Sequence, residues 1–142
     1  MEIADVRKRV LETIDRAKRA AAERRARADE VSRDYEAFLD CVAVPIFRQL
    51  ANVLRAHRYP FNVFTPGGSV RLMSEKTAED YIELFLDSSG DTPHVVGRAS
   101  RSRGHRVLER ERPIGDARPV HELTEDDVLE FVLKELEPFV EK

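Results

Sequence analysis

The stretch from Ile3 to Leu54, IADVRKRVLETIDRAKRAAAERRARADEVSRDYEAFLDCVAVPIFRQLANVL, decides the fold. Ile3, Val6, Val10, Ile14, Ala17, Ala21, Ala28, Val31, Tyr35, Phe38, Val42, Ile46, Leu50 and Val53 follow one another at steps of three or four, with one gap of seven between Ala21 and Ala28. Wound at ~100° per residue they fall within an arc of about 120°, the signature of a long amphipathic helix. Their mean step, roughly 3.57 residues, lies between a left-handed coiled coil and a straight helix, so the seam permits supercoiling without demanding it.

The seam changes character along its length. From Ala17 to Ala28 it is nearly all alanine, with Arg24 or Arg25 filling the missing turn. Alanine is the best helix former but buries little apolar surface, so this part is a good helix and a weak zipper. From Val31 onward the bulkier Tyr35, Phe38, Leu39, Val42, Ile46 and Leu50 read as core. Acid-before-base pairs four residues apart, Asp5 with Arg9, Glu12 with Arg16, Asp15 with Arg19 and Glu23 with Arg27, favour helix over coil. Pro45 lacks an N–H and crowds the preceding turn, so an interruption is expected near Ala43, as a kink or with Pro45 opening a second helix that runs to about His57.

Downstream, the period changes from helical to alternating. Phe61–Thr65 and Val70–Ser74 flank the turn residues Pro66, Gly67, Gly68 and Ser69. Tyr81–Asp87 places Ile82, Leu84 and Leu86 on one face and Tyr81, Glu83 and Phe85 on the other. Strands over His94–Arg101 and His105–Arg112 follow, joined by a turn at Ser102–Gly104. Such short connections imply an antiparallel meander. Ile114–Glu122 reads as a linker, and Thr124 as the N-cap of a last helix with Asp127 at the capping-box position. Val128, Leu129, Val132, Leu133 and Leu136 form its expected apolar face, and Pro138 is expected to fray its end. The predicted fold is α+β: a long N-terminal helix interrupted near Pro45, a meander of four to five strands, and a C-terminal helix on the sheet. Residues 1–30 form an extended helical arm and 31–142 a single domain. One helix from Ile3 to Leu54 measures about 80 Å, twice the ~40 Å breadth of a globule of this size, so its own domain cannot cover it.

Composition narrows the function without naming it. The 142 residues carry 24 basic and 27 acidic side chains, a net charge of −3, which is the balance of neither a general nucleic-acid binder nor a polyanion mimic. The run Cys41–Phe47 is the longest without charge, far short of the ~20 residues of a membrane span. The charged N-terminus does not resemble a signal peptide. With one cysteine and no intrachain disulfide, the expected compartment is the cytoplasm, and Cys41 itself reads as a small buried hydrophobe. The four histidines are dispersed, a zinc cluster cannot be assembled, and no nucleophile motif occurs, so no catalytic residue, metal or cofactor is assigned. Asp87, Asp91 and His94 share a turn, where aspartate is favoured for backbone reasons.

The expected function is therefore a non-enzymatic cytoplasmic interaction or adaptor protein. It associates with a protein partner or with itself, as a homodimer, through the arm seam Ile3, Val6, Val10, Ile14, Ala17, Ala21, Arg24 and Ala28. The alternative is a nucleic-acid-associated protein contacting phosphate through the hairpin 94–112, with Arg98, Arg106, Arg110 and Arg112 on one side of the ribbon. A small enzyme with a site at a subunit interface is a weaker third reading, and no membrane partner is expected.

Overall fold

The structure, a computed structural model, describes residues 1–90 and 92–141. The chain divides into two compact units, Met1–Arg33 and Asp34–Lys142. The first lies wholly within helix α1 (Ile3–Phe38) apart from its first two residues. Its side chains are nearly all exposed. Of the four expected acid–base pairs only Asp15–Arg19 is formed, at 3.0 Å. Exposed pairs gain little and cost side-chain entropy, which is why the others remain open.

In the second unit, α1 gives way to a π turn (Leu39–Ala43) and then to α2 (Val44–Ala56). The Val44 N–H donates to the carbonyl of Leu39, five residues back, while the backbone stays helical, with φ −59° and ψ −47° at Phe38 and φ −61° and ψ −46° at Val44. Pro45 falls in the first turn of α2, where its missing N–H costs least. The interruption expected from Pro45 thus takes the form of a widened turn.

That turn inserts one extra residue into the apolar stripe. The buried series runs Tyr35, Phe38, then Ala43, Phe47, Ala51 and Leu54, with Val44 and Ile46 beside it. The strict three–four spacing is therefore wrong beyond Phe38: Val42 and Leu50 are half-buried and Val53 is 60% exposed. Cys41, expected inside, is exposed for the same reason. An 18-residue window of the Ile3–Ala56 helical run has a mean hydropathy of 1.4, long and apolar enough to cross a membrane by those measures. Of that window 33% is buried in the structure.

Five antiparallel strands form the sheet in sequence order: β1 (Phe61–Phe64), β2 (Val70–Ser74), β3 (Tyr81–Asp87), β4 (His94–Arg103) and β5 (Arg106–Pro113). Cross-strand register gathers Val63, Leu72, Ile82 and Ala99 into one row and Val70, Leu84 and Gly97 into another. Helix α2 packs over β1 and β2, and α3 (Glu125–Val140) over β3 and β4. The core lies between these helices and one face of the sheet.

Thr124 caps α3 as expected: Asp127 N–H donates to Thr124 Oγ1 at 3.3 Å, and Thr124 N–H donates to Asp127 Oδ2 at 2.8 Å. The helix continues two residues past Pro138. Its buried face is Val128, Phe131, Val132, Glu135, Leu136 and Phe139, whereas Leu133, expected inside, is exposed. Phe131 and Phe139 take that role because they sit at the three–four positions that face the sheet. Phe139 meets Phe61 edge to face at 5.9 Å.

Phe131 can lie on the sheet only because residue 97 is glycine. A Cβ there would stand 2.2 Å from Phe131 Cζ. The ring is 2% exposed and has the Arg112 guanidinium 4.6 Å from its centroid, so little room is left for it to retreat. Gly97→Ala is expected to destabilise the fold by about 1–3 kcal/mol, read as a lower denaturant midpoint at unchanged slope; an unchanged midpoint would show the ring to be loosely held. The π turn makes a separate forecast. Cys41 is expected to react with a thiol reagent at full stoichiometry in the native protein, whereas protection until unfolding would return it to the core frame.

Candidate functional site

Two surfaces combine chemistry with exposure, one in each unit. On the first, the seam residues Ile3, Val6, Val10 and Ile14 stand 88, 47, 51 and 44% exposed. Ala17, Arg24 and Ala28 are exposed as well and Ala21 half-buried. A helix within a protein draws most of its stability from packing its apolar face. This face packs on nothing within its own unit.

The second surface is the hairpin β4–β5. Its two-residue turn, Gly104–His105, has glycine at φ +64° in the first position and no positive φ in the second, the pattern of a type II′ turn. The turn sets the register, pairing Arg103 with Arg106, Arg101 with Leu108, Ala99 with Arg110, Gly97 with Arg112, and Arg98 with Glu111. Arg98 therefore lies on the opposite face from Arg106, Arg110 and Arg112, and the four do not line one side of the ribbon. A turn over Ser102–Gly104 would pair Arg101 with His105, whereas the turn at Gly104–His105 moves the pairing by three residues, and an odd shift exchanges faces. The arginines that do share the helix-side face are Arg101, Arg103, Arg106, Arg110 and Arg112. Arg101 and Arg103 join this face because the two-residue turn led by Gly104 reverses the parity expected from a turn at Ser102–Gly104.

Two of these five are engaged by α3. Glu135, 4% exposed, lies 3.5 Å from Arg112 Nε and 4.0 Å from Arg110 Nη1. Arg112 Nε and Nη2 are buried without a hydrogen-bond partner, so the Arg112–Glu135 contact is an ion pair of imperfect alignment. Among the described residues, Arg101, Arg103 and Arg106 form no ion pair. Arg103 and Arg106 are directly opposed across the strands, an arrangement that like charges disfavour. Beside them lie a hollow of about 350 Å³ lined by Ala99, Arg101, Leu108, Arg110, Glu135 and Phe139, among others, and one of about 280 Å³ lined by Arg101, Ser102, Arg103, Pro138 and Glu141.

Arg98 belongs to a different construction. On the face away from the helices, Arg71, Glu83, Arg98 and Glu111 are consecutive cross-strand partners over β2 to β5. Arg71 Nε donates to Glu83 Oε2 at 2.9 Å, Arg98 Nη1 lies 3.5 Å from Glu83 Oε1, and Arg98 Nε donates to Glu111 Oε1 at 2.6 Å. Arg71 stacks on Tyr81 at 4.1 Å and Arg98 on Phe85 at 4.7 Å. Both guanidinium groups are thus committed, and Glu83, 5% exposed, is fully satisfied. Near this ladder, the Tyr35 hydroxyl donates to the Gly68 carbonyl. Burial, reinforced by the Glu83 charge, pushes the Tyr35 hydroxyl up to about 12.

The remaining candidates resolve into structural roles. Asp87 Oδ1 accepts from the Ser89 hydroxyl at 2.6 Å and from the Ser89 N–H at 2.9 Å, which lowers its pKa and marks a turn-closing aspartate. His94 contacts the Thr92 carbonyl at 3.1 Å, and Asp91 lies outside the described residues. Among the described residues no three His, Cys, Asp or Glu side chains are grouped to hold a metal ion. Set against known proteins, the chain matches no family model, no curated protein and no solved structure.

Proposed function

We propose that this chain is an interaction protein that associates through the seam of residues 3–28, with self-association as a homodimer the first form and docking on a larger assembly the second. The observation that carries the reading is the exposure of Ile3, Val6, Val10 and Ile14 along one line of a single helix. Each such side chain gains roughly 1.5–3 kcal/mol on full burial, and a partner helix is the surface that buries a line of them together. The reading includes a reducing compartment such as the cytoplasm, supported by the exposed thiol of Cys41.

A second reading, supported by the opposed pair Arg103 and Arg106 with Arg101 on the same face, is that the hairpin tip binds nucleic-acid phosphates. A pair of like charges that forms no ion pair is a cost that an anionic partner relieves.

Light scattering over a range of concentrations separates these. The wild-type chain is expected to show a concentration-dependent dimer, and Val10→Asp/Ile14→Asp to remain monomeric while keeping its helical content. A monomeric wild type at every concentration would end the first reading. For the second, labelled single- and double-stranded oligonucleotides are expected to bind at low salt. Arg103→Gln/Arg106→Gln should weaken binding and reduce the salt slope by about 1–2, and absence of binding to both strand types removes the reading.

A further inference from the structure

We infer that the hollow between α3 and the β4–β5 hairpin receives one unstacked base of a single-stranded nucleic acid, with Glu135 accepting from the base's amino group and Arg101 and Arg103 holding a neighbouring phosphate. This rests on the hairpin-tip reading above and names the form of nucleic acid that the tip takes.

The hollow follows from how α3 lies on the sheet. The helix packs over β3 and β4, whereas β5 is the edge strand beyond them. Pro138 and Phe139 stand three and four residues after Glu135, so the three share one side of the helix. Facing them are two successive cross-strand pairs, Ala99 with Arg110 and Arg101 with Leu108. The space between measures about 350 Å³, at the lower end of the ~300–1,000 Å³ of small-molecule sites.

What points to a ligand is Glu135. It is 4% exposed and lines the hollow. Arg112 Nε stands 3.5 Å from it and Arg110 Nη1 4.0 Å, and neither contact is a hydrogen bond. Buried polar groups are as a rule hydrogen-bonded, so Glu135 keeps lone pairs for a donor brought from outside. A carboxylate can only accept, and its ligand must therefore present an N–H or O–H. Leu108, Pro138 and Phe139 make the rest of the wall largely apolar. A base with an exocyclic amino group meets both demands, with apolar faces and a donor at its edge.

The arginines place the phosphate. Arg101 also lines the adjoining hollow of about 280 Å³, where Arg103 joins it and Glu141 is the one acid in the lining. Neither arginine forms an ion pair among the described residues. A base in the first hollow can thus carry its phosphate toward the second. In a duplex the base is stacked and paired and does not enter, so the hollow selects single strands, whereas phosphate contacts alone carry no sequence information.

The test uses the full chain and short DNA oligonucleotides at low salt, read by fluorescence anisotropy. Oligo-dC is expected to bind about fivefold or more tighter than oligo-dT, which lacks the amino group, and tighter than duplex. Leu108→Trp, which fills the hollow from the edge strand, is expected to weaken oligo-dC binding about tenfold and to leave duplex binding unchanged. Glu135→Gln, whose amide both donates and accepts, is expected to lose the preference for dC; circular dichroism checks that each variant is folded. Equal affinity for dC, dT and duplex, or a folded Leu108→Trp chain that binds oligo-dC as the wild type does, overturns the base site and leaves phosphate binding standing. Absence of binding to both strand types overturns both.

Discussion

Cross-strand register is the constraint on which the rest of the folded unit depends. A slip of one residue in any pairing would carry Val70, Leu72, Ile82 and Leu84 to the wrong face and leave α2 and α3 without a floor. Two devices hold it. On the helix side, apolar rows run from strand to strand and end at Ala99 and Gly97, where the small residues admit Phe131. On the other side the row Arg71, Glu83, Arg98, Glu111 alternates in sign across four strands. Any shift of one strand by a single residue breaks at least one ion pair of that row. Each contact is modest, roughly 0.2–1 kcal/mol, but the row penalises wrong registers as well as rewarding the right one.

The same parity explains the division of labour among the hairpin arginines. Arg98 serves the ladder, Arg110 and Arg112 meet Glu135 from α3, and only the tip residues Arg101, Arg103 and Arg106 lack acids among the described residues. A buried glutamate on a helix that covers a sheet is costly alone. Two guanidinium groups beside it, one of them stacked on Phe131, make the position tenable.

Most of the architecture was legible in the sequence, because its signals are local. The long apolar period, the five alternating runs with turn residues between them and the Thr124–Asp127 box each concern residues within a few positions of one another. What escaped depended on a single residue of phase. Pro45 announced an interruption, but nothing nearby said that it would be absorbed by a five-residue turn, so Cys41 and Val53 were placed inside and Ala43, Phe47 and Ala51 overlooked. Gly104 announced a turn, but a three-residue turn in place of a two-residue one shifted the pairing by three, which put Arg98 on the wrong face and left Arg101 and Arg103 off the right one. Glu135 as a partner for Arg110 and Arg112 could not be read at all, since these residues lie more than twenty positions apart on different elements. The seam residues of the first unit are exposed side by side on one helix, and what binds them is a matter of association, on which a single chain is silent.

The meander order also has a kinetic consequence. Every strand pairs only with its neighbours in sequence, and α2 packs on β1 and β2, which directly follow it. Loop closure is therefore inexpensive at each step, and such local wiring favours rapid folding. As the chain leaves the ribosome, α2 and the successive hairpins have all their partners at hand. The exception is α3, the last element, which sets Phe131 on Gly97 and Phe139 on Phe61. Until α3 is made, the helix-side face of β3 and β4 has no cover, so a nascent chain, or one truncated before α3, carries an apolar sheet surface prone to aggregation.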